Sequence, residues 1–206
     1  IRDSPGPVLL TGWAGNASED DQPSIQTGRW VHALSLPRAL SLRNGRLIQR
    51  PATDLPDDAG QSALVGRPLE TGQYEVVELR GHRSWQLRLE ANAAPGSGAW
   101  GLRIGSDQSH VDIVLDEGAL RVDRSTSRYT QYGAVRTVTL PEGCEPVLEI
   151  VHDRSLTEVF VGDGILAFTL RSFVDVSSSG ARLLVERPLE LTSASTRTFP
   201  PRPDAL

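Results

Sequence analysis

The chain has 206 residues, 38% of them hydrophobic and 23% charged, which is the balance of an ordinary globular protein with room for one large domain or two small ones. A formal net charge of −5 argues against a polyanionic partner, so no nucleic acid is expected, and no apolar run reaches the length of a membrane-spanning helix. One cysteine, Cys144, excludes an internal disulfide, and the histidines His32, His82, His110 and His152 are scattered without zinc spacing, so no metal or cofactor is expected.

In chain order, the first stretch reads as four short strands over residues 8–13, 30–36, 39–43 and 45–49. Asn44-Gly45 between the last two is a two-residue hairpin signal, because both central positions of that turn need positive φ. Residues 51–62 are polar and rich in turn formers and mark a boundary. Beyond them the pattern is β almost throughout. Trp85, Leu87, Leu89 and Ala91 alternate with Gln86, Arg88 and Glu90. Trp100, Leu102 and Ile104 alternate with Gly101, Arg103 and Gly105, and Val111, Ile113 and Leu115 alternate with Asp112 and Val114. Leu120 and Val122 flank Arg121. Residues 147–152 turn at 153–155 into 156–161, which turn at 162–164 into 165–170. No segment keeps a helical period with caps at both ends. Many short strands joined by tight turns predict an all-β, antiparallel sandwich or barrel.

Carboxyl pairs are the obvious candidates for hydrolytic chemistry. Asp20 and Asp21 fall in a polar loop, where adjacent acids are ordinarily solvated. Asp153 belongs to a turn, Asp153-Arg154-Ser155, whose side chains bond the local backbone. Glu158 alternates with apolar neighbours and is expected to pair with a base. Cys144, in Pro141-Glu142-Gly143-Cys144-Glu145-Pro146, reads as a structural bystander.

Two blocks carry a more specific signal. The first holds Val8-Leu9-Leu10-Thr11-Gly12-Trp13-Ala14-Gly15-Asn16, Gly28-Arg29-Trp30, Leu34-Ser35-Leu36-Pro37-Arg38-Ala39-Leu40-Ser41-Leu42 and Asn44-Gly45-Arg46-Leu47-Ile48-Gln49-Arg50-Pro51. The second is Leu148-Glu149-Ile150-Val151-His152-Asp153-Arg154-Ser155-Leu156-Thr157-Glu158-Val159-Phe160-Val161-Gly162-Asp163-Gly164. Together they resemble the back part of glycoside hydrolase family 32, the β-fructosidases. The resemblance implies the last blade of a five-bladed β-propeller over residues 1–55, a linker at 56–66, and a C-terminal concanavalin-like β-sandwich at 67–206. In that family the nucleophile aspartate lies in an Asn-Asp-Pro-Asn motif, a second aspartate in Arg-Asp-Pro and the acid/base glutamate in Glu-Cys, all on earlier blades. Here Arg2-Asp3-Ser4 lacks the proline and Cys144-Glu145 has the reverse order, so no catalytic residue carries over. Trp13 and Asn16 match the last-blade motif near the mouth of the active-site funnel and are expected to bind substrate. The indole would stack on a sugar face, and the amide would bond hydroxyls. Trp30 reads as structural, and the polar insertion 17–26 departs from the family pattern.

The resemblance therefore implies an enzyme's C-terminal portion. The whole protein would release terminal β-fructosyl residues from sucrose, fructo-oligosaccharide or levan with retention, and this segment alone would be inactive. The implied partners are that substrate and the N-terminal propeller segment. The start at Ile1, the lack of methionine and the lack of a visible signal peptide agree with a fragment or a processed product. The alternatives are a non-catalytic carbohydrate-binding or dimerisation sandwich, with Tyr129 and Tyr132 as its exposed aromatics, and an immunoglobulin-like interaction module.

Overall fold

The computed structural model describes residues 6–15, 32–53, 55, 59–92, 98–116, 118–128, 130, 133–174 and 180–200. The leading part comprises β1 (Val8–Leu10), β2 (Trp13–Ala14), β3 (Ala33–Leu34), β4 (Arg38–Arg43) and β5 (Arg46–Pro51). β1, β4 and β5 form one antiparallel sheet in that order, and β2 pairs with β3. Asn44 and Gly45 close the β4–β5 hairpin with φ of 52° and 74°, the conformation expected from their side chains.

The stretches expected as separate strands at 30–36 and 39–43 instead lie end to end opposite residues 8–14, as far as they are described. Trp13 faces Leu34 across the ladder, whereas Leu10 faces Arg38, so one extra residue is accommodated at Leu36–Pro37. This is a β-bulge. Its cause is chemical: Pro37 has no N–H to give a ladder, and the Leu36 N–H is taken by the Glu158 carboxylate at 3.0 Å.

The remainder is a sandwich of two antiparallel sheets. Its strands are β6 (Gly60–Gln61), β7 (Pro68–Leu69), β8 (Gly72–Glu75), β9 (Ser84–Ala91), β10 (Trp100–Gly105), β11 (His110–Asp116) and β12 (Ala119–Asp123). They continue with β13 (Val135–Thr139), β14 (Val147–Asp153), β15 (Leu156–Val161), β16 (Leu166–Arg171), β17 (Ala181–Val185) and β18 (Leu189–Thr198). One sheet runs β13-β12-β11-β10-β17-β8; the other runs β16-β15-β14-β9-β18-β6, with β7 on β18. Trp85, Leu87, Leu89, Trp100, Leu102, Ile104, Val111, Ile113, Leu115, Leu120 and Val122 all point into one core, as their alternation predicts. Part of the expected linker 56–66 is already packed. Gly60–Gln61 pairs with Ser195 and Thr196, and Leu64 is buried in the core. Its polar side chains are used locally: Glu78 accepts the Ala63 N–H at 3.0 Å and the Ser62 hydroxyl at 3.2 Å.

Strands β14 and β15 break the alternation, being buried on both faces. Their inner side chains enter the core. Of their outer ones, Glu158 and Phe160 meet Arg38 of the leading sheet, while Glu149 bonds Gln86 within the sandwich. That second covering positions the site.

Candidate functional site

The leading sheet docks through Arg38. Its guanidinium pairs with Glu158 in the middle of β15, bonds Thr169 on β16, donates to Gln49 Oε1 at 3.0 Å and stands 5.4 Å from the centre of the Phe160 ring. Glu158 is 2% exposed, so the pair is desolvated, and both carboxylate oxygens are engaged. Removing one partner of such a pair typically costs about 3–5 kcal/mol, because the other charge stays buried. The expectation that Glu158 meets a base is met, and Arg38, 120 residues away in the chain, is that base.

A second contact lies at the turn after β15. The Gln49 N–H donates to Gly164 O at 2.9 Å, and Arg50 Nε donates to Asp163 O at 3.1 Å. The Asp163 carboxylate also pairs with Arg50, with Arg43 at 3.6 Å and with Arg88 at 3.3 Å. Arg88 continues the network to Glu149, which accepts from the buried Gln86 amide at 2.6 Å. The conspicuous run Glu158-Val159-Phe160-Val161-Gly162-Asp163-Gly164 is therefore a docking platform.

Beside Arg38 a cavity of about 350 Å³ opens between the two parts. Gly12, Trp13, Gly15 and Ser35 line it from the leading sheet; Arg124, Arg136, Phe168 and Thr169 line it from the sandwich. Arg124 is held rigid by carbonyls, donating to Gly133 O at 3.1 and 3.2 Å and to Arg171 O at 3.0 Å. Trp13 is 54% exposed and meets His32 edge to face, with ring centres 4.9 Å apart. Gly15 makes that approach possible. A Cβ there would lie 2.3 Å from His32 Nδ1 and 2.7 Å from Trp13 Cε2. An exposed indole beside a cavity that carries arginines and hydroxyls is a surface on which the C–H face of a sugar can stack while its hydroxyls bond the rim.

Other sequence candidates fall elsewhere. Asn16, Asp20, Asp21, Trp30, Tyr129, Tyr132 and the insertion 17–26 lie outside the described residues. Asp153 accepts the Ser84 hydroxyl at 2.6 Å at the β14–β15 turn. Trp85 and Trp100 are core residues. Cys144 is a half-buried free thiol whose pKa is pushed up by that burial, the opposite of what a nucleophile needs. Among the described residues no group of three or more His, Cys, Asp or Glu side chains gathers as metal donors would. Sequence reasoning missed Arg38, Ser35, Arg124, Arg136 and Thr169. Arg38 and Glu158 stand in the two blocks singled out, but linear spacing carries no sign that they touch.

The model for "Glycosyl hydrolases family 32 C terminal" matches residues 57–199. A probable sucrose-6-phosphate hydrolase of Psychromonas ingrahamii is 32% identical over 84% of this chain, which covers 30% of that protein. A levanase of Bacillus subtilis is 28% identical over 85% of the chain, which covers 28% of it. The crystal structure of an exo-inulinase from Aspergillus awamori superposes with a TM-score of 0.72 at 20% identity, over 93% of this chain and 40% of the inulinase. The chain thus spans less than a third of the length of either curated relative.

Proposed function

Because the chain belongs to glycoside hydrolase family 32 through its C-terminal region, we propose that it is the back part of an enzyme that releases terminal β-fructosyl residues. The substrates are sucrose, its phosphate or fructans; the relatives above are named for sucrose 6-phosphate and levan. Residues 1–55 are the last propeller blade, and the sandwich begins by residue 60. Hydrolysis with retention needs two carboxyl groups about 5–5.5 Å apart, one as nucleophile and one as acid/base. The preceding propeller segment supplies both. This chain contributes Trp13, with Asn16 beside it in sequence, as part of the wall the sugar meets. The sandwich carries the blade through Arg38 and Asp163.

The observation that carries this reading is the junction of the two sequence blocks. The family-matched sandwich holds the Trp13-bearing sheet by a desolvated ion pair, and the cavity opens at that seam. The test is fructose release from sucrose and from a fructan. The 206-residue chain alone is expected to release none. The same chain joined to the N-terminal two thirds of a family relative is expected to become active, and Trp13→Ala in that hybrid to raise KM several-fold. Release by the isolated chain would overturn the assignment of the carboxylates, and a folded but silent hybrid would overturn the enzymatic reading.

A further inference from the structure

We propose that Glu158 is a positioning residue for the Trp13 wall: it holds the bulge at Leu36–Pro37 and so determines which side chains of the leading sheet face the cavity. The inference rests on the reading of Trp13 as a sugar-facing wall.

Alternate residues of a strand share a face, so Ser35 and Arg38, three apart, belong on opposite faces of a regular strand. The bulge removes that conflict. Ser35 bonds Gly12, with its N–H donating to Gly12 O at 2.8 Å, and Arg38 faces Leu10. Gly12 and Leu10 share a face of their own strand. Ser35 and Arg38 therefore turn to the sandwich together, and each is 7% exposed.

Glu158 grips both sides of the irregularity. One oxygen accepts the Leu36 N–H at 3.0 Å, the donor the bulge leaves out of the ladder; the other accepts the Thr169 hydroxyl at 3.0 Å and pairs with Arg38. Only a carboxylate offers an acceptor to a backbone amide and a charge to a guanidinium at once. From the bulge the restraint passes to Trp13 through one hydroxyl. Ser35 Oγ accepts the Gly12 N–H at 2.7 Å and donates to Leu36 O at 3.3 Å. Gly12 immediately precedes Trp13, and both line the cavity. If the bulge slips by one residue, Ser35 or Arg38 is thrown to the other face, and the Gly12 amide loses its partner.

The experiment uses the 206-residue chain labelled with fluorotryptophan, its Trp13 signal assigned by Trp13→Phe. In Glu158→Gln the Trp13 resonance is expected to move while those of Trp85 and Trp100, in the sandwich core, stay in place. Exchange of the Leu36 and Gly12 amides is expected to speed up by about tenfold or more. Ser35→Ala, which leaves the ion pair intact, is expected to shift Trp13 and release Gly12 but keep Leu36 protected. In the hybrid with the N-terminal two thirds of a family relative, KM for kestose is expected to rise several-fold in both variants. A folded Glu158→Gln with an unmoved Trp13 signal overturns the proposal; if that variant does not fold, an unmoved Trp13 signal in Ser35→Ala does so. If the signals move as expected but KM in the hybrid does not, the positioning role stands and the sugar-wall reading falls.

Discussion

At His152 the imidazole is fully enclosed. Its Nδ1 lies 2.9 Å from Thr157 Oγ1, which is 2.5 Å from Ser172 Oγ, and its ring centre lies 5.2 Å from that of Trp85, tilted by 35°. Burial lowers its pKa to about 4, with nearby Asp153 only partly opposing the shift. An unfolded chain binds that proton near pH 6.5, so the native state refuses a proton that the unfolded state accepts. Stability from this residue is therefore whole above about pH 6.5, falls as the pH drops, and levels off below about pH 4 with a loss of about 3 kcal/mol. Denaturant midpoints measured between pH 7 and 4.5 are expected to fall in the parent chain. In His152→Gln, which keeps a polar partner for Thr157, they should fall less steeply. Equal slopes in the two proteins would show that the acid sensitivity comes from other groups.

Among the elements, the turn after β15 combines two constraints that a hairpin normally keeps apart. Gly162, Asp163 and Gly164 have φ of 57°, 60° and 91°, and Gly164 O accepts the Gln49 N–H of β5 at 2.9 Å. A Cβ on Gly164 would stand 2.3 Å from Gln49 O. Gly45, with φ of 74°, has the same backbone requirement but open space around it. The two glycines therefore separate conformation from docking. Gly45→Ala is expected to cost about 1 kcal/mol, the ordinary penalty for the left-handed region. Gly164→Ala is expected to cost about 2 kcal/mol or more, because the leading sheet must also give way. Urea unfolding followed by tryptophan fluorescence measures both. Equal losses would mean that the turn does not bear on β5.

For the molecule as a whole, the leading sheet exposes a run of large apolar side chains. Val8 and Leu34 are each 68% exposed and Leu42 78%, with Leu9, Leu10 and Leu47 also open. Its contacts with the sandwich run through Arg38, Gln49 and Arg50, and the open residues fit burial by the neighbouring propeller segment of the proposed enzyme. Without that cover the chain is expected to self-associate as its concentration rises. Leu34→Glu with Leu42→Glu is expected to suppress this, read by sedimentation velocity. A parent chain that stays monomeric at high concentration would contradict it.

The strand alternation, the Asn44-Gly45 turn, the tryptophans of the core and the membership of the family were all legible in the linear sequence. Each depends on neighbours along the chain: side-chain parity, backbone φ, or a run of residues read in order. The merging of 33–36 and 38–43 into one bulged line was not legible, nor was the pairing of Gly60–Gln61 with the sandwich. In both cases a hydrogen-bond partner from far along the chain settled the matter, Glu158 for Leu36 and Ser195–Thr196 for Gly60–Gln61. Trp13 stood out in the sequence, but its cavity did not, because Arg124, Arg136 and Thr169 reach it from other strands. An all-β sandwich of a known family, with a glycine- and tryptophan-marked strand ahead of it, follows from patterns of neighbours in linear order. That Arg38 and Glu158 meet emerged from the fold, since the desolvated pairing of two charges depends on which strands lie face to face, and no local pattern records that.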